Sequence, residues 1–416
     1  MTCRFRLFAI LMTVPIAYGQ STCPIRHLSV FDADIAELTE ERTLDLHAGS
    51  NAVEWRSLVP QAFPGTLRVT ADQAEIVRQS ITLEGPEVRG QKTPVLRLVA
   101  QNNGPDGPHK VRVDYLAPKL SWKADYSVVL GTAGKSGTPE EMVLDGWVSV
   151  KNETGTDVCA DAVDLIAGDV QLVNGGGSGP RDYVVNAQAF HTAGAAVPEA
   201  GTGAQISEMS VFSRVGLGRN ILLAANAWME RFPLIQRLRL PLEQRNVFEN
   251  DAGTQTLGRG GFTLLPRGLE VRLVSRNSSA AVLPAGTVTV YSPEKDGPQV
   301  VGQDRIPLTA PGSDLSISQG RSNTLQGTRR VIDRLEVADT ENRYKLVTRV
   351  EVTIENRGSD AATAFVREGV ENFGKGDWMV TQSSHASHRL GERSMEFKLA
   401  VPAKDRVRLQ YTVETR

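Results

Sequence analysis

The 416-residue chain has little of what usually carries chemistry. Its three cysteines and six scattered histidines leave few ligands for a metal centre. Only His385 and His388 lie close together, in a polar stretch with no third ligand within a dozen residues, so a metal is not expected there. The formal net charge is −2 and no basic block occurs, which removes the electrostatic case for nucleic acid or an anionic membrane surface. No segment after the N-terminus is apolar for long enough to span a bilayer as a helix. The last residues alternate like a strand but end on Arg416 rather than an aromatic, and no long set of lipid-facing strands precedes them, so an outer-membrane barrel is not expected. Apolar stripes at helical spacing are scarce as well. Aromatic residues make up 6%, so Trp55, Trp122, Trp147, Trp228 and Trp378 are expected in cores rather than on an exposed sugar-binding face.

What is present begins with residues 1–19. Arg4 and Arg6 precede an apolar run from Leu7 to Ala17, and Ala17-Tyr18-Gly19 offers small residues before Gln20. This is the pattern of a secretory signal peptide and implies an exported protein, periplasmic or secreted. Cys3 would leave with the signal. Cys23 and Cys159 would then remain, suiting one disulfide in an oxidising compartment. The alternative is two thiols buried separately as small hydrophobes.

Beyond residue 25, runs of four to eight residues with period-two alternation recur between Gly, Pro, Asn and Asp. Val95 to Val99, Val111 to Tyr115 and Leu346 to Ile354 are examples. The class is all-β: tandem sandwich domains of antiparallel strands with little helix. The expected division is an N-terminal domain over 20–117 and a C-terminal β-rich domain over 118–416, with a weaker boundary about 331–344. A strand running into an asparagine corner occurs three times, at Asn152, Asn277 and Asn356.

Several active-site motifs almost form. Gly131 to Ser136 lacks the first glycine of a phosphate loop and reads as a hairpin turn. Gly175 to Gly179 lacks the spacing of a nucleophile elbow and, with Thr192 to Gly203, reads as surface loop. Cys159 lies among Asp157, Asp161 and Asp164, which disfavour a thiolate nucleophile and read as the solvated rim of a turn. No cofactor motif emerges.

From Leu120 onward the chain resembles the C-terminal domain of mucoidy inhibitor A-like proteins, a domain of unknown function. The matching residues are Trp122 and Tyr126, then Asn152, Gly155 and Asp157, then Pro284 and Gly286 in Leu283 to Tyr291, and finally Asn356 and Trp378. Residues 25–83 are similar to that family's N-terminal domain. The chain departs in carrying Val158 and Cys159 where relatives tend to place Trp, and it lacks the usual coiled-coil segment. The resemblance implies an exported envelope protein and no established catalytic residue.

The functional expectation is therefore binding or scaffolding, with a protein partner engaged at sheet edges or at the interdomain junction near Pro118. The partner would be an envelope protein or a glycan. The alternatives are a hydrolase using a carboxylate pair on loops such as 174–203 or 312–330, and a carbohydrate-binding module.

Overall fold

The computed structural model describes residues 23–88, 91–132, 140–168, 172–174, 183–185, 205–208, 213–249, 266–338, 344–369, 373 and 377–415. Residues 1–19 of the expected signal peptide, residues 133–136 of the expected hairpin turn and most of 174–203 lie outside them. Every long element described is a strand, as the alternating pattern predicts.

In chain order the first part comprises β1 (Ile25–Phe31), β2 (Ile35–Leu46), β3 (Gly49–Trp55), a short 3-10 turn (Pro64–Thr66), β4 (Arg68–Ala71), β5 (Ala74–Val88), β6 (Gln91–Asn102) and β7 (Gly107–Pro118). Next come β8 (Leu120–Leu130), β9 (Glu141–Asn152), β10 (Val158–Ala167), β11 (Leu172–Asn174), β12 (Tyr183–Val185), β13 (Gln205–Glu208), β14 (Ser213–Leu223) and β15 (Glu230–Pro241). Then follow β16 (Glu243–Glu249), β17 (Arg267–Arg276), β18 (Gly286–Ser292), β19 (Gln299–Ile306) and β20 (Asp314–Ala338). The chain closes with β21 (Tyr344–Asn356), β22 (Ala362–Gly369), β23 (Trp378–Ser383), β24 (Ser387–Arg389), β25 (Ser394–Val401) and β26 (Arg406–Thr415).

These strands build a seven-stranded sheet, β13-β14-β10-β1-β2-β7-β4, and a five-stranded sheet, β15-β9-β8-β18-β19. A nine-stranded sheet, β23-β26-β21-β20-β17-β16-β22-β25-β24, and a three-stranded sheet, β3-β6-β5, complete the main framework. Alternation dictates the layering. In β8, Leu120, Trp122, Ala124, Tyr126 and Val128 are buried while Ser121, Lys123 and Asp125 face outward. One apolar core runs from Leu28 through Trp55, Tyr115, Trp122 and Val148 to Ile317, so it spans both sides of residue 118. A second core, around Phe248, Phe373, Phe397 and Tyr411, fills the nine-stranded sheet.

Two features tie the parts together. Strand β1 pairs in parallel with β10, from Ile25 opposite Ala160 to Phe31 opposite Ile166. Cys23 and Cys159 are disulfide-bonded at the head of that ladder, with Cα atoms 5.0 Å apart. Long β20 carries Leu315 and Ile317 into the first core and Leu325 into the second. Its far end, 331–338, pairs with β21, so the boundary expected about 331–344 falls inside one antiparallel hairpin. Residues 314–330, expected as loop, are strand in this same element.

The asparagine corners repeat in atomic detail. Asn152 Nδ2 donates to the Thr156 and Leu223 carbonyls at 2.9 and 2.7 Å while its Oδ1 accepts from Thr154 N–H at 3.1 Å. Asn277 does the same with Ala281, Thr309 and Ser279, and Asn356 with Asp360, Val401 and Gly358. A buried amide that satisfies both its own turn and a distant strand fixes each crossover at little cost. A fourth, Asn102, bonds Pro105, Leu46 and Gly104 in the same manner. The run of Gly and Pro after it reads in sequence only as a turn.

Candidate functional site

Polar clusters in this molecule are of two kinds, closed and open. Closed ones satisfy themselves. Glu40, fully buried, accepts from Trp55 Nε1 at 2.7 Å, from the Tyr115 hydroxyl at 2.9 Å and from Ser57. Burial, then the Glu40 charge, pushes the Tyr115 phenol well above its ordinary pKa, so it stays a hydrogen-bond donor. A partial exception lies in the second core, where Arg329 Nε donates to Glu368 at 2.8 Å with both side chains buried while the buried Arg329 Nη2 has no hydrogen-bond partner. On the outer face of the seven-stranded sheet, Asp164 holds His27 at 2.5 Å and Arg214 at 2.9 Å. Asp164 is thus a buried strand residue rather than part of a solvated rim, because β10 begins at Val158 and the His27 and Arg214 side chains of the flanking strands cover it.

The open cluster lies on the outward face of β8, β9 and β15. Period-two alternation sets Ser121, Lys123 and Asp125 of β8 beside Lys151, Ser149 and Trp147 of β9, pair by pair. Arg231 of β15 pairs with Ser149, and its guanidinium sits 5.1 Å from the Trp147 ring centroid. Between β14 and β15 the chain turns outward and presents Trp228, 82% exposed. Together Ser121, Trp122, Lys123, Ser149, Lys151, Trp228 and Met229 line a groove of about 250 Å³. Lys151 Nζ stands 5.9 Å from the Trp228 ring centroid.

The turn that carries Trp228 is built by the asparagine corner beside it. Asn152 holds the Leu223 carbonyl, Asp157 Oδ1 accepts from Ala225 N–H at 2.9 Å, and Glu230 accepts from Ala224 N–H at 2.9 Å. Corner and groove are thus one local unit. An exposed indole on such an anchored turn is a ready contact surface, since ordering it costs little further entropy.

The remaining sequence-derived residues are structural. The Tyr126 hydroxyl donates to the Pro284 carbonyl at 2.8 Å, and burial raises its pKa. A Cβ on Gly286 would lie 2.4 Å from the Ala124 carbonyl oxygen, so only glycine allows β18 to approach β8 there. Gly155 adopts φ 86° in its corner. Trp122 Nε1 donates to the Ile166 carbonyl, and Trp378 Nε1 to the Glu392 carbonyl. Cys159 is in the disulfide and is no nucleophile. His385 is half-buried and His388 exposed, and no group of three or more His, Cys, Asp or Glu side chains among the described residues could hold a metal. Trp55 and Trp122 are core as expected, whereas Trp228 is not. Its position after Ala224-Ala225-Asn226-Ala227, outside any alternating run, is the sequence signal that marks it as a turn residue.

No family model and no curated protein sequence matches the chain. Fold and site together define an all-β protein of fused sandwiches with an aromatic and basic groove on one open sheet face. No helix among the described residues is long and apolar enough to cross a membrane.

Proposed function

We propose that the protein is an exported cell-envelope binding protein, not a catalyst, and that its groove on the β8–β9–β15 face takes a saccharide. The observation that carries this reading is Trp228, a large exposed ring beside the hydroxyl of Ser121 and the ammonium groups of Lys123 and Lys151; the buried Ser149 beside them gives its own hydroxyl to Asp125 at 2.9 Å. A flat apolar ring flanked by a few donors suits a pyranose, which offers an apolar C–H face and a rim of hydroxyls. Export is supported by the N-terminal pattern and by the Cys23–Cys159 disulfide.

Strand addition at sheet edges has weaker support. Three of the edge strands, β4, β13 and β24, are only 4, 4 and 3 residues long, although β5 runs for 15. Edge strand β15 contains Pro233 and Pro241 and breaks register twice. The test is affinity electrophoresis of the mature protein through gels containing envelope polysaccharides. Retardation of the wild type with normal mobility of Trp228→Ala is expected. Equal mobility of both proteins in every gel contradicts the reading.

A further inference from the structure

We infer that the groove prefers an anionic saccharide, one whose sugar rings carry carboxylates, over a neutral one. This rests on the saccharide reading above and adds the charge of the ligand. Among the described residues, the groove's charged lining consists of Lys123 and Lys151; no carboxylate lines it. Each ammonium does have an acidic neighbour, Asp125 at 3.3 Å and Glu153 at 2.8 Å, but both carboxylates stand outside the groove lining. Both lysines are solvent-exposed, so each ion pair holds its lysine only weakly. An ammonium has three donors and can keep its carboxylate while giving another hydrogen bond to a ligand.

Position strengthens the case. Register places Lys123 opposite Ser149 and Ser121 opposite Lys151, so two ammonium groups and the Ser121 hydroxyl share the floor of the groove, the Ser149 hydroxyl being taken up by Asp125. Arg231, exposed beside Ser149 on the other side, extends the positive edge toward Trp147. Trp228 rises at one end and Trp147 lies along the same strand face, two residues from Ser149. A ring stacked on Trp228 would therefore direct its substituents toward ammonium and hydroxyl donors. The volume of about 250 Å³ lies just below the usual range of small-molecule pockets and suits at most a single ring, with neighbouring rings running along the open sheet.

The experiment is isothermal titration of the mature protein with a galacturonate oligosaccharide and with its carboxyl-reduced, neutral counterpart of equal length. The uronate is expected to bind about tenfold tighter, with affinity falling as salt is raised. The Lys123→Gln/Lys151→Gln double variant is expected to bind the two sugars with equal affinity, with its thermal unfolding measured alongside to show that it is folded. Equal wild-type affinity for the two sugars, or a uronate preference that survives the double substitution, overturns the charge preference and leaves the saccharide reading standing. Failure of both sugars to bind overturns both.

Discussion

Two tryptophan–cation arrangements in one chain come to opposite ends. Trp55 lies inside the first core under the Arg42 guanidinium, 4.4 Å from its ring centroid, and its N–H is bonded to Glu40. Trp228 stands in solvent beside Lys151 and Lys123, whose acidic partners lie outside the groove. The first arrangement is complete: Trp55, Tyr115 and Ser57 all converge on one carboxylate. The second has an apolar ring and donors facing outward. A satisfied network specifies a fold, while an outward-facing one is available to a ligand.

The largest effect should come from breaking the closed arrangement. Glu40→Ala orphans the donors of Trp55, Tyr115 and Ser57 in a dry core and is expected to cost about 3–5 kcal/mol in urea unfolding. A loss under about 1 kcal/mol would mean the network is not closed in the sense described.

Next is the disulfide, which joins the two parts of the chain at the β1–β10 ladder across a sequence separation of 136. Cys23→Ser/Cys159→Ser should lose about 2–5 kcal/mol, and wild type under reductant should unfold with the variant. Identical unfolding of oxidised and reduced protein would contradict this.

A smaller and pH-dependent effect is expected at Glu37. Burial first, and the Asp114 charge second, raise its pKa above the usual carboxylate value. A carboxyl whose folded pKa is raised stabilises fully below its unfolded pKa, and that contribution is lost as pH rises through the folded value. Relative to Glu37→Gln, wild type should therefore lose stability over the window just above the ordinary carboxylate range. Parallel pH profiles for the two proteins would refute the assignment.

Smallest in stability, but directed at the groove, is Asp157→Ala. It removes the bond to Ala225 N–H and should cost about 1 kcal/mol or less while loosening the Trp228 turn. Saccharide affinity should fall by more than the unfolding free energy does.

Much of the fold was legible because sheet burial has a period of two. The runs at Val111 to Tyr115 and Leu346 to Ile354 became β7 and β21, and three asparagine corners recur at Asn152, Asn277 and Asn356. The fourth corner, Asn102, was masked by its Gly- and Pro-rich sequel. The parallel pairing of β1 with β10 was not legible, because it joins segments far apart in sequence whose strand patterns name no partner. For the same reason Asp164 read as a turn residue: its partners His27 and Arg214 arrive from other strands. Trp228 was misplaced by composition. Tryptophans are scarce here and cores usually claim them, yet this one sits on a turn between two edge-ward strands.

The groove assignment is tested most directly by acrylamide quenching of tryptophan fluorescence, with and without oligosaccharide. Exposed Trp228 should dominate the quenchable signal in the free protein. Bound saccharide should suppress that fraction, and Trp228→Phe should remove most of the quenchable fraction and of its protection, leaving the half-buried Trp147 and Trp378. Unchanged quenching in saturating oligosaccharide, or equal protection in Trp228→Phe, would contradict the assignment of this face as the binding site.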